Sequence, residues 1–221
     1  MCALRTETAN PHLATETVFA GRRDAPVAAV LLHGRDQDPE FMLDVAQRIA
    51  LDDVAYILPA AAGASWYPGR FHDPIEDNEP WLTWSLDAID AAVAATGRPR
   101  DRVALVGFSQ GACILAEYLA QRPKRYGAAA ILTGVLLGEP DRDRIPLGVP
   151  AGLPMFFGIA RGDDWIPVAA VRETVAAFEQ AGARCELRVY GHEEHGVNDD
   201  EAGAVRALLT DLVTDHLERS P

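Results

Sequence analysis

The stretch VALVGFSQGACILAEYLA (103–120) constrains the fold more than any other part of the chain. A continuous apolar run of strand length passes within two residues into helical periodicity, and Ser109 stands at the junction between Gly107 and Gly111. A turn that tight leaves no room for a Cβ on either side of its apex. The helix it launches must fold back onto a sheet, and the rest of the chain supplies one. Apolar, strand-length segments recur at 16–21 (ETVFAG), 26–34 (PVAAVLLHG), 54–60 (VAYILPA), 102–107, 126–134 (YGAAAILTG), 153–160 (LPMFFGIA) and 183–191 (ARCELRVYG). Helical periodicity falls at 39–51, 81–96, 110–122, 167–182 and 199–218. Asp38 and Pro39 suit the N-cap and first position of the first helix, and Gly97 and Pro99 stop the second.

Strands alternating with helices predict one α/β domain over residues 1–221: a mostly parallel sheet of about seven strands with helices on both faces. Its core runs over about 16–218, with 1–15 as an N-terminal extension and 61–80 and 136–152 as irregular stretches. PVAAVLLHG, apolar throughout, reads as a strand buried on both faces. No internal repeat and no linker divides the chain, and no long insertion provides a large lid.

Composition removes several classes of function. Hydrophobic residues make up 48%, so the chain is globular. No apolar run approaches the ~20 residues of a membrane span, and the polar N-terminus lacks a secretory signal, so a cytoplasmic location is expected. A formal net charge of -13 disfavours nucleic acid and anionic membranes as partners. Three widely spaced cysteines argue against both a disulfide framework and a zinc site. Cys113 reads as a small buried residue.

In parallel sheets, active sites lie beyond the carboxyl ends of the strands. Four pieces of polar chemistry fall there: His33-Gly34-Arg35, Ser109, Asp163 and His195. G-x-S-x-G between a strand and a helix is the nucleophile elbow of α/β-hydrolases. The competing reading, a serine N-cap, needs neither glycine. A serine nucleophile needs a base and an orienter, in the chain order Ser, Asp/Glu, His. Asp163 and Asp164 compete for the acid in GIARGDDWIP. His192 and His195 compete for the base in VYGHEEHGVN, where His195, followed by Gly196, has the freer loop.

The stretches LLHGRDQDPEFM (31–42), PAAAGASWYP (59–68), NEPWL (78–82), GFSQGA (107–112), GDDWIP (162–167) and YGHEEHGVN (190–198) together resemble the phospholipase/carboxylesterase family. That family contains small bacterial carboxylesterases and acyl-protein thioesterases. The resemblance implies the α/β-hydrolase fold and an esterase that needs no metal or organic cofactor. It selects Asp163, three residues before Ile166-Pro167, and His195 as the partners of Ser109. It places the oxyanion donors on the backbone N–H groups of Arg35 and Gln110. The family's H-G-x-G becomes His33-Gly34-Arg35-Asp36 here, with Asp36 in place of the second glycine; aspartate tolerates left-handed backbone better than most residues.

Trp66, Tyr67, Phe71 and Trp81 are candidates for the walls of a substrate pocket. Trp81 and Trp84 fit equally the apolar face of a helix. The acids Asp73, Glu76, Asp77 and Glu79 match no metal-ligand spacing and read as a solvated loop. Arg35 could bind a substrate carboxylate, or pair with one of those acids or with Asp36. The expected activity is hydrolysis of small, short-acyl esters by a monomer or homodimer. Alternatives are a thioesterase, a lysophospholipase or an inactive ligand-binding relative. Ser109, where dienelactone hydrolases carry cysteine, argues against that enzyme.

Overall fold

A computed structural model describes residues 9–139, 148–191 and 194–219. Seven strands form one sheet: β1 (Thr17–Gly21), β2 (Val27–Leu32), β3 (Val54–Pro59), β4 (Val103–Phe108), β5 (Ala128–Leu132), β6 (Pro154–Ala160) and β7 (Arg184–Tyr190). Their order is β1-β3-β2-β4-β5-β6-β7. Only β1 runs antiparallel, paired with β3; every other neighbouring pair is parallel. The sequence places β4 at the centre, with β2 on one side and β5 on the other. All six residues of β2, β3 and β4 are buried, which explains why these strands read as unbroken apolar runs.

Among the described residues, five α-helices cover the two faces: α1 (Pro39–Ile49), α2 (Trp81–Ala95), α3 (Gln110–Gln121), α4 (Val168–Gln180) and α5 (Asp199–Arg219). Alternate residues of each strand feed opposite layers. Ala28, Val30 and Leu32 of β2 face the layer of α2 and α3, through side chains such as Ile89 and Ile114, and α4 continues that layer over β6 and β7 with Phe178. Val27, Ala29 and Leu31 pack with α1 and α5, through Met42, Ile49, Val205 and Leu209. The Asp38 side chain accepts from the Glu40 N–H and caps α1, with Pro39 at its first position.

Residues 10–14, part of the segment expected to be an extension, are built into the body. Asn10 caps a short 3-10 turn, Pro11–Ala14, and its amide donates to the Trp84 carbonyl at 2.8 Å. His12 is buried there: the Ala62 N–H donates to its Nδ1 at 2.9 Å, and its Nε2 faces the Trp66 carbonyl at 3.2 Å. Among the described residues, no helix is long and apolar enough to cross a membrane.

Candidate active site

The loops at the carboxyl ends of β2, β4, β6 and β7 converge. Ser109 follows β4 and carries φ 52° and ψ −119°, a strained conformation for a non-glycine residue. Its N–H still bonds to the Leu132 carbonyl (2.9 Å), and its carbonyl already accepts from the Cys113 N–H (2.9 Å). One residue thus ends the sheet ladder and begins α3. The flanking glycines are required by contact. A Cβ on Gly107 would come within 2.5 Å of the Gly111 carbonyl oxygen, and one on Gly111 would press on the Leu32 and His33 carbonyls.

Three side chains from three loops form one hydrogen-bonded line. His195 Nε2 lies 2.9 Å from Ser109 Oγ, and His195 Nδ1 lies 2.7 Å from Asp163 Oδ2. The Asp163 side chain is shut off from solvent, whereas that of His195 is 24% exposed. Asp163 Oδ1 accepts from the N–H groups of Trp165 (3.0 Å) and Ile166 (2.9 Å). Burial raises the pKa of this carboxyl. The bonds from His195, Ile166 and Trp165 outweigh burial and hold it below the usual carboxylate range. Phe108 and Trp165 flank the imidazole, with ring centroids 5.2 and 6.4 Å away. Asp164, the rival acid, is exposed and lines the cleft instead. The rival base, His192, lies outside the described residues.

A seven-stranded sheet with helices on both faces, a strained serine at the central strand's end and this hydrogen-bonded line raise the question of kinship. A sequence profile of phospholipases/carboxylesterases matches residues 83–212. The chain belongs to the phospholipase/carboxylesterase family. It is a hydrolase of that family, with the α/β-hydrolase fold in a single domain. A phospholipase/carboxylesterase from Dyadobacter fermentans is 29% identical, with a TM-score of 0.80 over 89% of this chain and 96% of that one. In fold it is also similar to a Bacillus cereus carboxylesterase, with 18% identity, coverage of 93% and 100%, and a TM-score of 0.72. A Mesorhizobium loti carboxylesterase gives 20%, 85% and 90%, and 0.65. No curated protein sequence matches at a significant level.

In this phospholipase/carboxylesterase, Ser109 and His195 open into a cleft of about 590 Å³. Tyr67 and Cys113, both buried, line its deep end. Phe71 lines it too, so Tyr67 and Phe71 stand where a pocket wall was expected. Trp66 and Trp81 do not line it. Trp66 is fully buried behind the cleft, because its indole N–H donates to the His33 carbonyl at 2.8 Å and its ring packs on His12 and His33. Trp81 opens α2 and meets His12 and Trp84 edge-on at 5.4 Å. Trp165, 70% exposed at the rim, is the aromatic that sequence reasoning passed over. The signal that singled out Tyr67, an aromatic in a loop just past a strand end, was also present in GDDWIP.

The loop after β2 keeps a left-handed residue without its usual glycine: Asp36 has φ 58°, and its N–H donates to the Ala64 carbonyl at 2.8 Å. His33 is buried and pinned in one tautomer. The Ala61 N–H donates to its Nε2 at 3.0 Å, leaving Nδ1 as donor to the Gly34 carbonyl at 2.7 Å. Among the described residues, Arg35 pairs with no acid. Its guanidinium donates to the Tyr67, Pro68 and Gly69 carbonyls. Gln110 N–H opens α3, where it has no partner within the helix. Among the described residues, no group of three or more His, Cys, Asp or Glu is placed to hold a metal ion. Asp73 instead accepts from the Arg70 N–H, and Glu79 from Thr83.

Proposed function

We propose that the chain is a serine carboxylesterase that hydrolyses small, short-acyl esters through a covalent acyl-enzyme. The observation that carries this reading is the line Asp163–His195–Ser109, with bonds of 2.7 and 2.9 Å, at the mouth of a cleft. His195 takes the proton from Ser109 as its Oγ attacks the ester carbonyl. Asp163 fixes the imidazole with Nε2 towards the serine and stabilises the cation that forms. The imidazolium then protonates the leaving alcohol. Water, deprotonated by His195, releases the acid and restores Ser109. The backbone N–H groups of Arg35 and Gln110 are assigned to the oxyanion, where two preorganised donors act on charge that exists only in the transition state.

Supporting the short-chain preference is the buried part of the cleft's lining, where Tyr67 and Cys113 are 3% and 1% exposed. A chain that outgrows this space must leave through the rim. The test is hydrolysis of p-nitrophenyl esters from acetyl to dodecanoyl by wild type and Ser109→Ala. The variant should lose ~10³-fold or more. Rates should fall steeply beyond about hexanoyl, because a longer acyl chain collides with the side chains that bound the buried part of the cleft and fits only by turning out through the rim. A maximum at long chains would refute the size assignment, and an undiminished Ser109→Ala would refute the nucleophile.

A further inference from the structure

Residues 65–69 carry the Tyr67 wall of the cleft but belong to no helix or strand. Their backbone polar groups therefore need partners from elsewhere. Ser85 and Asn78 supply two of them, Ser85 donating to the Trp66 carbonyl at 2.6 Å and Asn78 accepting from the Gly69 N–H at 2.8 Å; the central part, around Tyr67, is held by the side chains of the two residues whose N–H groups were assigned to the oxyanion. Gln110, buried at 5% exposure, accepts from the Trp66 N–H at 2.9 Å and donates to the Tyr67 carbonyl at 2.7 Å. Arg35 donates to the same Tyr67 carbonyl at 3.1 Å, to the Pro68 carbonyl at 3.1 Å and to the Gly69 carbonyl. The Ser65 hydroxyl joins them on Tyr67 O at 2.9 Å. Three donors from three segments thus meet on one carbonyl. The Arg35 guanidinium also lies 5.7 Å from the Tyr67 ring centre and has no carboxylate partner among the described residues. Spanning three successive carbonyls takes a planar fork of donors, which a lysine ammonium lacks.

We propose that Arg35 and Gln110 are positioning residues whose side chains lock the Tyr67 wall to the oxyanion donors. Pocket width and oxyanion geometry are then set by one network, and a shift of the 65–69 loop displaces both. This rests on the serine-esterase reading above, and it assigns Arg35 a structural grip in place of a substrate carboxylate.

The experiment compares wild type, Arg35→Met, Arg35→Lys and Gln110→Met on butyryl and octanoyl p-nitrophenyl esters. Inhibition by a trifluoromethyl ketone, whose adduct with the serine places an oxyanion on the donors, is measured alongside thermal midpoints. Both methionine variants should lose about tenfold or more in kcat and in ketone affinity. Their butyryl-to-octanoyl preference should flatten, with midpoints within a few degrees of wild type, and Arg35→Lys should recover part of the loss. Lower midpoints with wild-type kcat, ketone affinity and chain-length preference would overturn the proposal. If Arg35→Met does not fold, Arg35→Lys and Gln110→Met carry the same comparison. A fluorophosphonate separates the two readings. Ser109 labelled in wild type, with unchanged variant kinetics, overturns the positioning role alone; unlabelled Ser109 overturns the esterase reading with it.

Discussion

At the scale of single residues, Asp163 shows how the site is built. Its carboxylate receives three donors, one from the imidazole and two from its own loop, and stays ionised although its side chain is buried. An amide there would keep the shape. It would also offer His195 Nδ1 the choice of an N–H, and so favour the tautomer with Nε2 unprotonated less. Asp163→Asn should therefore lower kcat by ~10³- to 10⁴-fold with little change in thermal midpoint. A loss below tenfold would mean that another group orients the imidazole. Because the pKa of Asp163 is lowered, the acid limb of the wild-type pH–rate profile should not carry its ionisation. Ser109 was legible from its glycines, whose Cβ atoms would collide with backbone. Chain order alone left Asp163 and Asp164 unresolved, because what separates them is which one the turn after β6 aims inward. Trp66 misled for a related reason: the bond from its indole to the His33 carbonyl and its packing on His12 and His33 hold it behind the cleft, and no periodicity records that.

At the scale of elements, periodicity carried most of the reading, since every strand and every long helix buries a face against a neighbour. The short 3-10 turns at Pro11–Ala14 and Ile75–Asn78 have too few residues to show a period. The junction of β6, the His195 loop and α5 holds a device hidden from pattern. Asn198 and Glu201 cap α5 reciprocally, each side chain accepting the other's N–H at 2.9 Å. Gly158 of β6 leaves the space Glu201 fills; a Cβ there would strike its carboxyl oxygen. Burial raises the Glu201 pKa from 4.5 to about 7, with Asp200 and Asp163 adding to it and the Asn198 N–H and Arg48 opposing. A raised folded pKa contributes stability that is full below 4.5 and lost as pH rises through about 7. Relative to Glu201→Gln, which keeps the cap, wild type should lose up to about 3 kcal/mol between pH 4.5 and 8.5. Taking the difference between the two proteins matters, because buried His12 and His33 act in the opposite sense. Burial lowers both their pKa values, so their contribution is present above 6.5 and lost as pH falls. Urea unfolding of both proteins across that range measures the difference, and a flat difference would remove Glu201 from the pH response.

At the scale of the whole molecule, a charge of -13 surrounds a cleft whose own charges balance. Arg35 and Arg70 line it on the 67–72 side, and Asp36 and Asp164 oppose them. Near the serine the four largely cancel, so the long-range field is set by the rest of the surface and is negative. That field was legible in the composition, whereas the local balance required the fold to bring residues 35, 36, 70 and 164 together. An ester carrying a carboxylate should meet repulsion on approach, and a neutral ester of the same size should not. The Debye length shortens from about 30 Å at 0.01 M salt to about 10 Å at 0.1 M, which separates the two scales. Over that range kcat/KM for the anionic ester should rise about two- to fivefold while the neutral ester changes little. A fall with salt would place the advantage with Arg35 and Arg70, and the nearby guanidinium groups, not the net charge, would then govern which esters reach Ser109.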